Sequence, residues 1–440
     1  MTNYSKDGDV HQQYEDFPYP PRDLKKELKE LKQTWLEDLP KINHYCFQGK
    51  NTFQDDFRAL VAGGGTGDAT IFLAWQLRNT DAEVVHLDIS AASIAIAKAR
   101  ATTRGLTNIV WLQGSLLDLP NMGLKPFDYI NCSGVLHHLA DPNSGLLALL
   151  SVLKPEGALG IMIYAAAGRT AIYQMQELLR RINSGQDSRT DKIETAKEVI
   201  YNLPATNWFE RSKERFSDYE SDAGLYDLLL HSRDRAYTVT EVFEWIEDTH
   251  GLHLEFTDVY AGRSTYVPKM VMGLKGRRVL TKIEKLPIRE QYAIAELLTS
   301  RIKTHSFYAT RSPACTAPYG DLEYIPMYFH DPVTGPLMEK IFNTNKNKGK
   351  VFILEHALAQ VAFPVNPGKY GPRILREIDG EKTFGKIFDI IRNDIEYKFN
   401  YPTDENLFKD FTESYIALNS LDRLLLRHQD APFYPNVNSG

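Results

Sequence analysis

Gly63, Gly65 and Gly67 form a G-x-G-x-G pattern between the strand-forming run Phe57–Ala62 and the helix-like run Ala69–Leu77. A strand, a glycine turn and a helix in that order bring backbone against a nucleotide-like ligand. The dinucleotide fingerprint needs G-x-G-x-x-G, but Asp68 follows Gly67. No Gly-Lys-Ser/Thr occurs, which removes a P-loop. Asp68 also disfavours phosphate, because the helix N-terminus that suits an anion already carries an acid. A nucleoside ligand without phosphates fits this turn, and S-adenosylmethionine is such a ligand.

Further residues fall where that ligand would need them. Asp88 ends the run Glu83–Asp88, about 20 residues past the turn, where a carboxylate accepts from both ribose hydroxyls. Its other reading is a cap for the next helix, a task for which Ser90 is better placed. Ile89 comes directly after it. Gly114-Ser115-Leu116 succeeds the third run, at the adenine position, with Ser115 in place of the usual carboxylate. Asp118 either stands in for that acid or only solubilises the loop. Ser133-Gly134-Val135 succeeds the fourth run, at the switch-point edge where open α/β sheets bind ligands. His138, and less so His137, either faces the substrate or only bridges backbone and the next helix. A metal site needs more ligands than this stretch supplies, so none is expected.

Alternating elements must position these groups. Strands are expected at 83–88, 109–113, 127–132 and 158–164, with helices at 91–104 and 141–153 and a turn at Lys154-Pro155-Glu156-Gly157. This βαβ rhythm predicts a parallel sheet covered on both faces. Before it, residues 1 to about 20 end in Phe17-Pro18-Tyr19-Pro20-Pro21 and are expected to be extended. Leu24, Leu28, Leu31 and Trp35 are spaced for an amphipathic helix. After it, residues 168–236 read as a helical insertion over the site. Beyond the insertion come a helix at 238–249, a strand at 252–260, a helix at 288–304 and a proline- and tyrosine-rich loop at 312–326. The domains expected are 1–50, 51–276, 277–348 and 349–440.

The composition is that of an ordinary globular protein, and a net charge of −6 offers no electrostatic case for nucleic acid or an anionic membrane. Three scattered cysteines exclude a disulfide framework and a cysteine zinc site. The polar start predicts no signal peptide, and no apolar run reaches membrane-span length. The chain is expected in the cytoplasm. A symmetric homodimer is the default expectation for an oligomer.

The chain resembles class I S-adenosylmethionine-dependent methyltransferases. The resemblance rests on Val61-Ala62-Gly63-Gly64-Gly65-Thr66-Gly67, Leu87-Asp88-Ile89-Ser90, Phe127-Asp128-Tyr129-Ile130, Gly134-Val135-Leu136-His137-His138-Leu139 and Leu153-Lys154-Pro155-Glu156-Gly157-Ala158-Leu159. It implies an α/β Rossmann-like domain whose cofactor contacts include Gly63 to Gly67, Asp88, Ile89, Gly114, Ser115, Leu116, Ser133, Gly134, Val135 and His138. One departure stands out: Val61 replaces the family's usual acid, so the anchor for the methionine amine must come from elsewhere. A narrower likeness, carried by Gln13–Pro20 and Val135–Pro142, is to bacterial protein-lysine methyltransferases that modify rickettsial outer-membrane proteins. It implies an N-terminal lid with Tyr14 and Tyr19 over the cofactor, Asn43-His44-Tyr45 near the methionine end, and an added, mainly helical C-terminal region. The segment Ile374–Phe388, with the two amphipathic stretches after it, is similar to small winged-helix modules that bind peptides; such a unit serves equally for packing or dimerisation.

For a lysine acceptor, a proton must leave before transfer, since its solution pKa is about 10.4. Tyr164, at the end of the fifth strand, is the first candidate for the reaction centre. The insertion adds Tyr226-Asp227, His231-Ser232-Arg233-Asp234-Arg235 and Tyr237, within which His231 and Asp234 read as a proton acceptor and its orienter, or as a salt-bridged surface. The expected substrate is a protein or peptide lysine. A small-molecule amine or hydroxyl is the alternative, and a non-catalytic scaffold is a third reading.

Overall fold

The structure is a computed structural model that describes residues 3–258, 262–273, 276–329, 333–343, 352–356, 361–394 and 401–434. The chain forms two compact units. The first comprises Met1–Thr34, Asp56–Thr238 and Arg301–His305; the second comprises Trp35–Asp55, Val239–Ser300 and Ser306–Gly440.

Five parallel strands organise the first unit: β1 (Arg58–Ala62), β2 (Glu83–Asp88), β3 (Ile109–Gln113), β4 (Phe127–Ser133) and β5 (Leu153–Tyr164). β6 (His253–Thr257) and β7 (Thr304–Thr310) pair antiparallel. The strand order across the seven is β3-β2-β1-β4-β5-β7-β6. Leu60 and Val61 on β1 and Ile130 and Cys132 on β4 are buried, as central strands covered on both faces require. Helices Asp68–Gln76, Ala91–Thr103 and Pro142–Ser151 fill the crossovers. Ser90 caps the second of these by accepting from Ser93 N, and Asp141 caps the third through Asn143 N and Ser144 N.

The expected fifth strand starts earlier than its sequence suggests. Lys154–Gly157 lies inside β5, where an irregular register against β4 between Phe127 and Tyr129 absorbs the proline and glycine. The insertion is helical as expected, with helices Thr170–Ile182 and Arg189–Tyr201 and a π-helical turn Tyr226–Leu230. Its own core gathers Ile172, Met175, Leu179, Phe209, Phe216 and Leu225.

Two N-terminal expectations are corrected. Residues Asn3–Asp16 are helical, and the helix stops before Phe17-Pro18 because the prolines act only on their own neighbourhood. The helix expected from Leu24 to Trp35 is reduced to one 3-10 turn, Leu24–Lys26, capped by Asp23. There the carbonyls of Glu27 and Glu30 accept from the Arg104 guanidinium instead of continuing a helical ladder.

The second unit also departs from the sequence pattern. The helix expected to reach 304 ends at Thr299, where Ser300 turns left-handed at φ 47°, and β7 begins at Thr304. The expected loop 312–326 contains the start of β8 (Tyr324–Tyr328). The strand expected at 252–260 is β6; its last expected residues, 259 and 260, lie outside the described residues, as does the 348/349 domain boundary. β9 (Phe352–His356) and β10 (Val361–Val365) form a hairpin, and β11 (Leu424–His428) pairs with β8. Helices Gly371–Glu377, Phe384–Asn393 and Asp404–Ser420 pack around Phe384, Phe388, Ile391, Phe411 and Leu424. Thr383 caps the middle one through Lys386 N.

Candidate active site

The glycine turn hangs on the end of β2. Gly63 N and Gly64 N both donate to Leu87 O, at 2.8 and 3.1 Å. Gly63 has φ +73°, and a Cβ there would stand 2.3 Å from Val135 Cγ2, so the bare backbone of the turn packs directly against the Val135 side chain. A Cβ on Gly65 would meet Tyr19 O at 2.7 Å. Thr66 is buried, and its Oγ1 donates to Pro20 O. Gly67 is the left-handed N-cap of the helix Asp68–Gln76.

Asp88 is buried at the tip of β2. Its Oδ2 accepts from Gly65 N at 2.7 Å and its Oδ1 from Ser90 N at 2.8 Å. Burial raises its carboxyl above the ordinary value, while those backbone donors pull it down. Two of about four lone-pair positions remain for ribose hydroxyls. Ile89 O accepts from Gln113, and Gly114 N donates to Asp88 O. Ser115 caps the next 3-10 turn through Leu117 N, so its side chain is occupied locally, and Leu116 is buried. Ser133 Oγ accepts from Asn131, and Gly134, at φ +78°, donates to Met162 O.

An N-terminal strap crosses this turn. Glu15 accepts from Ala91 N and Ala92 N at the N-terminus of the helix Ala91–Thr103. Tyr14 O accepts from Ser90 Oγ, and Tyr19 OH donates to Asp218 at 2.9 Å. Asp68 takes Arg22 and Arg100, and Arg100 also donates to Glu27 and to Thr66 O. Burial raises the Asp68 carboxyl, but the two guanidiniums outweigh it and hold it below the ordinary value. The acid at the helix N-terminus therefore pins the strap.

A second cluster sits at the ends of β4 and β5. Tyr237 N donates to Tyr164 O and Ala166 N to Tyr237 O, which fixes the tip of β5. Tyr164 OH donates to Asp227 at 3.2 Å, and Tyr14 OH donates to the other oxygen at 3.1 Å. Burial, and then Asp227, push both phenols well above their ordinary range, so they stay protonated. Burial also raises Asp227, with His138 and the phenols opposing. Arg169 stands 3.5 Å over the Tyr164 ring, and the His137 ring centre is 3.8 Å from it. The crowded ring thus works through its hydroxyl edge.

The imidazoles are held in defined tautomers. His138 Nδ1 lies 2.8 Å from Arg233 O, a carbonyl that only accepts, so Nδ1 carries the hydrogen and Nε2 the lone pair. His231 Nδ1 accepts from Arg233 N at 3.1 Å, so the neutral ring carries its hydrogen on Nε2. Burial, reinforced by His138, pushes both His137 and His231 well below the ordinary histidine value.

A family model described as "Methyltransferase domain" matches residues 54–221. An uncharacterized protein of Synechococcus is 32% identical over 305 residues, covering 68% of this chain and 70% of that protein. The chain belongs to the S-adenosylmethionine-dependent methyltransferases. Over 112 residues, 25% of this chain and 41% of that protein, the methyltransferase is 37% identical to the tRNA 5-carboxymethoxyuridine methyltransferase of Escherichia coli. PKMT2 from Rickettsia typhi in complex with AdoHcy shares its fold, with a TM-score of 0.59 and 14% identity over 90% of this chain and 76% of that chain. The glycine turn without side chains and the spare lone pairs of Asp88 fit S-adenosylmethionine.

In this methyltransferase the expected pairing of His231 with Asp234 is not made. Asp234 accepts from Tyr173 at 2.5 Å and Gln176 at 2.9 Å, and pairs with Arg169 at 3.5 Å. The carboxylate that accompanies His138 and His231 is Asp227, to which sequence reasoning gave no role; the signal was its i, i+4 spacing from His231. Arg169 was not anticipated. Asn43, His44 and Tyr45 have their partners in the second unit: Asn51, Leu426 with Asn419, and Asp422.

Proposed function

We propose that this methyltransferase acts in the cytoplasm on a lysine amine of a protein or peptide. The observation that carries the reading is the His138 tautomer. Its Nδ1–H is committed to Arg233 O, and its Nε2 lone pair has no hydrogen-bond partner among the described residues. A base so poised, beside the buried Asp227, can take the proton an ammonium must lose. Bound S-adenosylmethionine supplies a methyl group already activated by its sulfonium. Gly63 to Gly67, Asp88, Gly114 and the Ser133–Val135 segment would hold that cofactor, with the Tyr14–Tyr19 strap excluding water above it. Tyr164 and Tyr14 orient Asp227 by donating to its two oxygens.

The likeness of Gln13–Pro20 and Val135–Pro142 to rickettsial protein-lysine methyltransferases supports the same substrate class. Under this reading the elements from residue 349 onward act as a winged-helix-like peptide module, and the protein works as a homodimer. The test is to incubate the full chain with tritiated S-adenosylmethionine and cell extract, then fractionate by size. Label in protein, recovered as methyl-lysine after hydrolysis, is expected. Label confined to the small-molecule fraction would replace this reading with a small-molecule methyltransferase.

A further inference from the structure

The Asp227 carboxylate is buried, yet no cation lies within ion-pair distance of it among the described residues; its oxygens accept only the phenols of Tyr14 and Tyr164. The other acids near the site are committed. Asp68 pairs with Arg22 and Arg100, Glu27 with Arg100 and Arg104, and Asp234 with Arg169. Asp88 and Glu15 take backbone N–H groups. Two phenols satisfy lone pairs and Arg169 acts on the carboxylate only through space, so burial still works against its charged form unless a ligand supplies a direct counter-charge. Both His137 nitrogens and His231 Nε2 are also buried without a hydrogen-bond partner among the described residues.

His138, Asp227 and His231 have metal-ligand spacing, with their ligand atoms within 4.8 Å of one another. A metal needs three lone pairs there. The Arg233 peptide leaves two: His138 Nε2 is bare, but His231 Nε2 carries the hydrogen. An ammonium group needs acceptors for its N–H bonds, and Asp227 with His138 Nε2 supplies them. We infer that Asp227 and His138 Nε2 form a seat for a primary ammonium group. Two ligands bring that chemistry: the amino group of the cofactor's methionine moiety, whose usual acidic anchor is replaced by Val61, and the amine of the acceptor. Only the second rests on the lysine reading.

The experiment compares the full chain with Asp227→Asn by calorimetry, using three probes. They are S-adenosylhomocysteine, its analogue lacking the α-amino group, and butylammonium titrated into the adenosylhomocysteine-loaded protein. Loss of a buried charge partner is expected to weaken an ammonium probe by at least about 30-fold. If the methionine amine occupies the seat, Asp227→Asn weakens adenosylhomocysteine, and the deaminated analogue is insensitive to the substitution. If the acceptor amine occupies it, only butylammonium responds. Should Asp227→Asn not fold, His138→Asn serves: it removes the Nε2 acceptor and keeps a donor to Arg233 O, so the ammonium probe that uses the seat is expected to bind more weakly, and unchanged affinity for both ammonium probes counts against the seat. Equal affinity of wild type and a folded Asp227→Asn for both ammonium probes overturns the inference. So does tight binding of Co²⁺ that Asp227→Asn abolishes. Because calorimetry needs no acceptor protein, label found only in small molecules would defeat the lysine reading without touching this one.

Discussion

His138 and His231 stack with ring centres 3.9 Å apart and planes 25° from parallel, and the peptide of Arg233 holds them in opposite tautomers. The carbonyl takes the His138 Nδ1–H, and the N–H meets His231 Nδ1. Two imidazolium charges at this distance would repel strongly, so a proton arriving at His138 requires His231 to stay neutral. Burial already holds His231 neutral.

His138→Asn separates position from base. The Asn amide can reproduce the Nδ1–H donation to Arg233 O while removing the Nε2 lone pair. We expect kcat to fall about 10²- to 10⁴-fold, the usual worth of a general base. Adenosylhomocysteine should bind within a few-fold of wild type if the acceptor amine uses the seat. Single-turnover methyl transfer beside calorimetry reads both quantities. A variant with near-normal kcat would remove His138 from proton transfer.

Gly63→Ala tests how closely two segments must meet. The substitution places a Cβ 2.3 Å from Val135 Cγ2 and forces a non-glycine residue to φ +73°. Adenosylhomocysteine affinity should drop at least about tenfold, because the backbone strain alone is worth about 1 kcal/mol and the clash displaces the Ser133–Val135 segment. Adding Val135→Ala relieves the clash but not the strain, so the double variant should recover only in part. Full affinity in Gly63→Ala would mean that the two segments move apart freely.

The cofactor half of the site was legible in sequence because its parts are local. Gly63 to Gly67 and Asp88 each sit at a strand end that an apolar run announces. The acceptor half was not legible, since Tyr14, His138, Tyr164 and Asp227 come from four separate segments and only the fold joins them. Tyr14 and Asp227 are 213 positions apart. The false helix at 24–35 has the same cause. Leucine spacing suggested it, but Glu27 is drawn to Arg100, 73 positions away, and that pairing outweighs local periodicity. β7 was hidden because no glycine marks the left-handed end of the preceding helix at Ser300, and because His305, Ser306 and Thr310 are polar residues buried within the strand.

Acid should destabilise both units. Burial lowers the His44 and His86 imidazoles to about 4, from an ordinary value of 6.5. In the unfolded chain each takes a proton as pH falls through 6.5; in the folded chain each stays neutral until about 4. Between those values the unfolded state binds more protons, so stability is fully present above the upper value and falls as pH drops across the window. Each residue contributes on the order of 3 kcal/mol to that loss. Urea midpoints from pH 7.5 to 4.5, roughly spanning this window, should fall steadily. His86→Gln should flatten the trend for the first unit, while His44→Gln acts on the second. Slopes identical to wild type in both variants would assign the acid sensitivity to other groups.

Arg100 joins the strap to the cofactor turn. Its guanidinium is buried and reaches Glu27 at 2.6 Å, Asp68 at 2.7 Å and Thr66 O at 2.8 Å. Removing one member of a buried ion pair usually costs about 3–5 kcal/mol, because the partner is left unpaired. Here each acid retains a second guanidinium, Arg104 for Glu27 and Arg22 for Asp68. Arg100→Met should therefore cost at or below the low end, about 3 kcal/mol. The larger consequence is local. Thr66 O loses its donor and Glu27 is no longer tied to the turn, so the segment from Tyr19 to Glu30 should loosen before the sheet unfolds. Trypsin should then cut at Arg22, Lys25 or Lys26 under native conditions, and adenosylhomocysteine should protect less than in wild type. Glu27→Gln should expose the same bonds while leaving Asp68 paired with both arginines, and so should affect cofactor binding less. A strap equally resistant in all three proteins would show that the ion network does not hold it.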